Sequence, residues 1–406
     1  MRGGTVAVVG GSIAGCAFAS AAVRAGADGV VVLERTRGRL ADRGVGLCVH
    51  DERAAELAAA GALPGGIPAH RLLRRRWVVR DGGAGPGGRM IWEQPFPFHS
   101  YHWGLLWRGL REATPEEVVY RQGVAVAGVA GDGGAAEVRL GDGSVERYDL
   151  AVGADGYRSV VREAVAPGAR PHYAGYVCWR GNFDAGRLEE SAEAGAESFP
   201  EAVTTVCFPG GSCVIYRIPG PDGPRVNWVL YAPPPPDGRL RFDDPTSFPP
   251  GALTPELLDH LRALLEREFP PHWGRALGLT DPADTFVQPI YDLETASTTA
   301  GRLLLAGDAA TVVRPHNTSG AAKALQDATA FGAAWAGAGT WEELLRDYQA
   351  ARGAAGRELV ALARRLGRAQ VERTPEWGRM SGAEAEAWWQ AQLGGAAGIG
   401  GRAMTP

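Results

Sequence analysis

The chain opens with apolar runs separated by small-residue turns. Residues 5–9 form a short apolar strand, 10–15 a tight turn, and 13–25 an Ala-rich, helix-favouring stretch closed by Gly26. Residues 30–33 are a second buried strand with Glu34 at its end. Two such strands joined by a helix make a βαβ unit, which predicts a doubly wound, parallel α/β sheet.

After about residue 70 the pattern changes. Residues 77–80 and 89–92 predict a hairpin around the Gly-rich loop 82–88, residues 102–113 return to a helical period, and 118–152 alternate as strands and turns. A β-rich stretch follows, with strands predicted over 176–182, 203–208, 212–218 and 226–231; its alternating polar and aromatic residues suggest one covered face. The Pro run 233–236 and the Pro-rich segment to Pro250 predict a loop, after which Thr254 caps a helix with Pro255 at its first position. Residues 302–306 are another apolar strand. Thr340 and Glu343 form a capping box for a helix reaching Leu366, and the last dozen residues are Gly-rich, which predicts a mobile tail. One nucleotide domain assembled from distant segments, interrupted by a β-rich insert, accounts for this order.

Composition narrows the classes. Hydrophobic residues make up 45 % of the 406 and charged residues 22 %, ordinary for a globular protein. A net charge of −4 leaves no basic face for nucleic acid or an anionic membrane. No apolar run approaches a membrane span, and no signal peptide precedes the first strand. The five cysteines show neither CxxC nor metal-like spacing, which fits a reducing cytoplasm. The histidines His99 and His102 with Tyr101 are a pocket wall, a lid or a surface loop, and no Cys or carboxylate completes a metal site there.

Three motifs carry candidate chemistry. The first is Gly10-Gly11-Ser12-Ile13-Ala14-Gly15, with Ser12 at the usual second glycine. Its turn exposes N–H groups, and the following helix aims its positive end at a pyrophosphate. Glu34 lies 19 residues beyond Gly15, where a carboxylate holds the hydroxyls of an adenosine ribose and disfavours a 2′-phosphate. Arg35 follows it. The second motif is Gly153-Ala154-Asp155-Gly156, and the third is Gly307-Asp308-Ala309-Ala310 with Pro315, Gly320 and Ala321 beyond. Each places an Asp where a parallel sheet binds ligands. Taken singly, either Gly-Asp pair reads as a helix N-cap.

In this order and spacing the three motifs resemble the FAD-dependent aromatic hydroxylases of the para-hydroxybenzoate hydroxylase type, over roughly residues 4–370. The residues 173–181 (Tyr-Ala-Gly-Tyr-Val-Cys-Trp-Arg-Gly), 216–220, Asn227-Trp228 and 314–323 bring it nearest to the pyridine and phenol hydroxylases. The resemblance implies a Rossmann-like FAD-binding domain over 1–70, 103–170 and 286–335. It further implies an interleaved β-sheet substrate domain over 71–102 and 171–285, a helical region over 336–392 and a flexible tail over 393–406. It implies tight, non-covalent FAD, NADH or NADPH as a transient co-substrate, and O₂, with hydroxylation through a flavin hydroperoxide. Asp155 would face FAD and the nicotinamide route, and Asp308 the ribityl chain. Gly320 would begin the helix that faces the flavin ring, and Arg43 would lie near the cofactor. Two departures are Thr318 and Ala322, where the commoner pattern has Gly and Asn; a third is Trp103, near which many members carry an Arg.

For the substrate, His316 and Tyr216 are the catalytic candidates, with Tyr176, Arg180 and Trp228 as further contacts to a small aromatic or heteroaromatic ring. Core packing or a structural hydrogen bond is the competing reading of each. The C-terminal helices offer a surface for a homodimer. Epoxidation, Baeyer–Villiger insertion or oxidative rearrangement on the same fold stays open, as does a flavin-binding protein without turnover. The Trp-x-Trp-x-Ile-Pro segment of flavin halogenases is absent.

Overall fold

The computed structural model describes residues 3–38, 40, 45–190, 201–236, 251–396 and 399–400. The chain runs β1 (Thr5–Val9), α1 (Ile13–Ala25), β2 (Gly29–Glu34), β3 (Gly46–His50), α2 (Asp51–Ala59), β4 (His70–Val79), β5 (Arg89–His102) and α3 (Trp103–Glu112). It continues through β6 (Val118–Gln122), β7 (Val126–Gly131), β8 (Ala136–Leu140), β9 (Val145–Tyr148), β10 (Leu150–Gly153) and α4 (Val160–Val165). Next come β11 (His172–Asp184), α5 (Ala185–Glu190), β12 (Ala202–Phe208), β13 (Gly211–Ile218), β14 (Arg225–Ala232), α6 (Pro255–Glu268) and α7 (Pro271–Leu277). The end comprises β15 (Phe286–Asp292), β16 (Thr299–Ala300), β17 (Leu303–Leu305), α8 (Gly320–Gly337), α9 (Trp341–Gly367) and α10 (Gly382–Leu393).

Strands β17, β10, β1, β2 and β6 lie parallel in one sheet, edged by antiparallel β16. One face packs on α1, α8 and α9, where Phe18 and Phe331 meet with ring centroids 5.1 Å apart. The other face is covered by α4 and the antiparallel sheet β7-β8-β9 through Ala136, Val138 and Leu140. A doubly wound sheet carries helices on both faces; here a β layer takes one of them, because 126–148 alternates with a period of two.

The second sheet has the order β15-β11-β14-β13-β12-β4-β5-β3. Its outer face packs on α6 and α7 through Trp179, Trp228, Leu257, Leu261 and Phe269. Near β4 and β5 its other face packs on α9 and α10 through Trp77, Leu366 and Trp389. Two expected domain boundaries shift. β3 and β15 fall inside segments assigned to the nucleotide domain, yet they pair with β5 and β11 in the large sheet. The hairpin of β4 and β5 is also longer than its sequence suggested. Pro95 argues against a strand, but it pairs with Arg74 at a break in the ladder register, where its missing N–H is tolerated.

The C-terminal stretch departs from a mobile tail in its described part. Ile399 is buried, and Gly400 donates its N–H to the Asn317 carbonyl at 2.8 Å. The loop reading of 233–250 is described only to residue 236. Among the described residues, no helix is long and apolar enough to cross a membrane, and no His, Cys, Asp and Glu cluster could hold a metal.

Candidate functional site

A cavity of about 1290 Å³ lies between the two sheets, at the C-terminal ends of β1, β10 and β17. Gly10, Ser12, Ile13 and Ala14 form part of its wall, with Glu34 and Arg35 beyond. Gly10 sits at φ +99°, and a Cβ there would strike the Ala154 carbonyl at 2.5 Å, so the turn demands glycine. The start of α1 has no side-chain cap and no acidic residue in its first turn. Its free N–H groups therefore suit a pyrophosphate. Glu34 is buried and accepts the N–H groups of Gly11 (2.8 Å) and Thr36 (2.7 Å). Each carboxylate oxygen keeps a lone pair for a ribose hydroxyl.

Gly11 and Gly15 are not on the cavity wall. The Gly11 N–H goes to Glu34, and its carbonyl accepts Trp107 Nε1 and Tyr120 Oη, each at 2.9 Å. A Cβ on Gly15 would lie 1.9 Å from the Gly10 carbonyl, so this glycine lets the helix fold back onto the turn. Both shape the cradle from behind. Arg43 lies outside the described residues.

The second and third motifs meet across the cavity. Asp155 Oδ2 accepts the Val160 N–H at 2.7 Å, the helix-capping role, while its buried Oδ1 has no partner. Burial pushes its carboxyl upward. Asp308 is exposed to the cavity, and no hydrogen bond holds its carboxylate among the described residues. Desolvation raises its pKa, against the pull of Lys323. An unmet acceptor of this kind suits a chain of hydroxyls. The turn carrying it is clamped: Asp327 accepts the Gly307 N–H at 2.9 Å, and Lys323 Nζ donates to the Gly307 carbonyl at 2.9 Å and to Asp327 at 2.8 Å. Pro315, Gly320 and Ala321 line the opposite rim, where α8 starts without a side-chain cap or first-turn acid. Its N–H groups suit an anionic ring edge. Trp103, at the start of α3, closes the side.

The inner end is walled by the large sheet. Arg180 on β11, Val214 and Tyr216 on β13, and Val229 and Tyr231 on β14 face the cavity, joined by Arg75, Cys48 and His316. Tyr216 and Cys48 lie near each other on this wall, and burial raises the pKa of both groups, the thiol to about 12. His316 lines the cavity, its ring 4.1 Å from that of Tyr231, with Nε2 2.9 Å from Tyr176 Oη. Desolvation, helped by Arg314 and Arg75, drops its pKa to about 3, so the ring is neutral at pH 7.

Tyr176 and Trp228 do not reach the cavity. Tyr176 stands behind His316 and orients it. Trp228 points to the opposite face, where Nε1 donates to Thr280 Oγ1 at 2.8 Å. The period of two decides this: Val229 and Tyr231 face inward, so Trp228 cannot. The same rule would have found Arg75. Within Arg74-Arg75-Arg76 the outer two pair with Glu93 on one face, so Arg75 projects from the other.

Fold and cavity together define a dinucleotide-binding protein, its cavity lying at the ends of the parallel strands. A family model described as FAD binding domain matches residues 266–363, and one described as FAD binding domain-like matches residues 173–292. The chain is 31 % identical over 334 residues to 2,6-dihydroxypyridine 3-monooxygenase of Paenarthrobacter nicotinovorans, covering 80 % of each. It is 30 % identical over 345 residues to 2-heptyl-3-hydroxy-4(1H)-quinolone synthase of Pseudomonas aeruginosa, covering 82 % of this chain and 80 % of that one. The structure of 2,6-dihydroxypyridine-3-hydroxylase from Arthrobacter nicotinovorans superposes with a TM-score of 0.78 at 27 % identity, over 93 % of this chain and 95 % of that one. The chain belongs to the family of FAD-dependent aromatic hydroxylases.

Proposed function

We propose that this protein hydroxylates a small electron-rich aromatic or N-heteroaromatic ring, with NADH or NADPH as reductant and O₂ as oxygen source. The balance is ring–H + O₂ + NAD(P)H + H⁺ → ring–OH + H₂O + NAD(P)⁺. The observation that carries this reading is the inner end of the cavity, where Tyr216, Tyr231, Val214 and Val229 stand with His316, Arg75 and Arg180 on the lining that also holds the start of α8. The names of the two relatives, a dihydroxypyridine monooxygenase and a hydroxyquinolone synthase, support a nitrogen heterocycle.

FAD, when bound, would carry the electrons from NAD(P)H to O₂ and activate the oxygen. Ser12 and the first turn of α1 would hold its pyrophosphate, Glu34 its adenosine ribose, Asp308 its ribityl hydroxyls, and the start of α8 its ring. Tyr216, which lines the cavity, would hold a ring hydroxyl. Neutral His316 cannot act as a general acid at pH 7; it can accept or donate one hydrogen bond and fix the ring's plane.

The purified protein should be yellow, and NADH or NADPH oxidation should rise several-fold with a hydroxypyridine or phenol, yielding a product heavier by one oxygen. A protein that takes up no FAD would overturn the reading. FAD-bound protein indifferent to every ring tested would overturn the substrate class.

A further inference from the structure

Pro315, His316, Thr318, Ser319, Gly320 and Ala321 line the cavity in one run of chain, so the shape of this turn sets where α8 aims its free N–H groups. The turn is strained. Thr318 holds φ +51°, a left-handed conformation that is costly for a residue carrying a Cβ. Such a residue persists only where its surroundings over-determine it. The front of the turn is fixed by Arg314, paired with Asp292 at 2.8 Å, and its end by the Lys323 N–H on the Ser319 carbonyl at 2.7 Å. Its middle is Asn317, wholly buried. The Thr318 and Ser319 hydroxyls, each 2.8 Å from the Asn317 carbonyl, move with the turn and cannot hold it in place. Two hydrogen bonds of Asn317 leave the turn. Its Nδ2 donates to the Leu359 carbonyl of α9 at 3.2 Å, and its own carbonyl accepts the Gly400 N–H at 2.8 Å.

Gly400 comes from a Gly-rich end of the chain, yet its seat is specific. Its φ is +77°, and a Cβ there would overlap the Phe98 ring and lie 3.3 Å from His50 Cβ, so the seat demands glycine twice over. The preceding Ile399 is 7 % exposed and belongs to the core of Phe96, Phe98, Leu362, Leu366 and Trp389. His50 ends β3 and Phe98 lies opposite it on β5, both in the large sheet, whereas Asn317 leads into α8 on the nucleotide side. These two tail residues therefore bridge the two walls of the cavity. Neither lines the cavity itself, so any effect they have on the site passes through the turn.

We propose that Ile399 and Gly400 latch the Asn317–Ser319 turn and so position the start of α8 for the cofactor ring, seating of the tail and binding of FAD strengthening each other. The inference rests on the reading of α8 as the helix that faces the flavin. Ile399 anchors the segment by burial, and the Gly400 N–H carries the anchor to the turn. With the latch released, Asn317 keeps one of its two outside hydrogen bonds, Thr318 is free to relax out of the left-handed region, and the N–H groups of Gly320 and Ala321 lose their aim. Linkage makes the effect reciprocal: the factor that tail seating adds to FAD affinity is the factor that FAD adds to tail seating.

Hydrogen exchange read by mass spectrometry tests the latch in the full-length protein. In the wild type, saturating FAD should slow exchange several-fold in the peptide that includes Ile399 and Gly400. Without FAD, Ile399→Asn should speed exchange over residues 315–323 by about tenfold or more while β1 and β10 exchange as in wild type, and Ile399→Leu should restore the protection. The Asn variant should bind FAD about tenfold more weakly by calorimetry. The reduction potential of its bound flavin should also fall, because the α8 N–H groups no longer favour a negative reduced ring. A loss of global stability alone would leave that potential where it is. Unchanged exchange over 315–323, or wild-type FAD affinity and potential despite lost protection, overturns the proposal. Tail exchange indifferent to FAD in the wild type also overturns it, and that measurement needs no variant to fold. A wild type that takes up no FAD removes the flavin reading and the coupling with it, whereas exchange over 315–323 in Ile399→Asn still decides the latch.

Discussion

Asp327 ties the Gly307–Asp308 turn to α8 and α9, and removing it tests whether that clamp shapes the nucleotide site. Its carboxylate accepts Lys323 Nζ at 2.8 Å, the Gly307 N–H at 2.9 Å and Arg352 Nε at 2.7 Å, with the Lys323 and Arg352 side chains only 2 % and 9 % exposed. Asp327→Ala therefore takes the shared carboxylate away from two buried cations. Breaking one buried pair costs roughly 3–5 kcal/mol, so the upper part of that range is expected. Lys323→Met leaves Asp327 with Arg352 and the Gly307 amide and should cost about 1–3 kcal/mol. Since the two changes remove the same contact, the double variant should cost less than their sum by more than about 1 kcal/mol. Urea unfolding followed by circular dichroism measures all three, and flavin fluorescence quenching reads FAD affinity, which should fall with Asp327→Ala. An Asp327→Ala protein within about 0.5 kcal/mol of wild type, or strict additivity, would refute the clamp. Burial alone would raise the Asp327 pKa, but Lys323 and Arg352 outweigh it and hold it below the ordinary value. Its contribution is thus present above the unfolded carboxylate pKa and lost as pH falls through the folded one.

Three further outcomes are expected. Thr318 holds φ +51° in the left-handed region, so Thr318→Gly should raise the unfolding free energy by roughly 0.5–1 kcal/mol, and no gain in a denaturation curve would count against strain there. Asp308→Ala should leave stability nearly unchanged while weakening FAD binding about ten- to a hundredfold, read by calorimetry; unchanged affinity would remove Asp308 from the cofactor site. Because His316 titrates near 3 when folded and near 6.5 when unfolded, the unfolded chain binds the extra proton between those values. Stability should then fall as pH drops from about 6.5, with a shallower slope in His316→Gln; equal slopes would place the imidazole in contact with water.

The βαβ start was fully legible: the apolar run, the glycine turn and the Ala-rich helix are local patterns, and β1, α1 and β2 lie where they predict. Asp155, Gly307, Asp308 and Gly320 were found because strand-end motifs couple a chemical group to a local turn. The side-chain choices in the β-rich insert were less legible. Aromatic identity alone suggested Trp228 and Tyr176, whereas strand parity sends the first to the outer face and a histidine contact places the second behind the wall. Arg75 was hidden in a basic run that reads as solvated surface.

By itself, then, the sequence determined the cofactor class and the segments that line the cavity at the strand ends, because helix starts, turns and strand ends are set by neighbours along the chain. Only the tertiary structure decided which sheet β3 and β15 join, which face each strand turns to the cavity, and that Arg75 and Arg180, 105 residues apart, share one pocket. Those outcomes depend on pairing between distant strands and on the desolvation of charges by groups far away in sequence, and no local pattern records either.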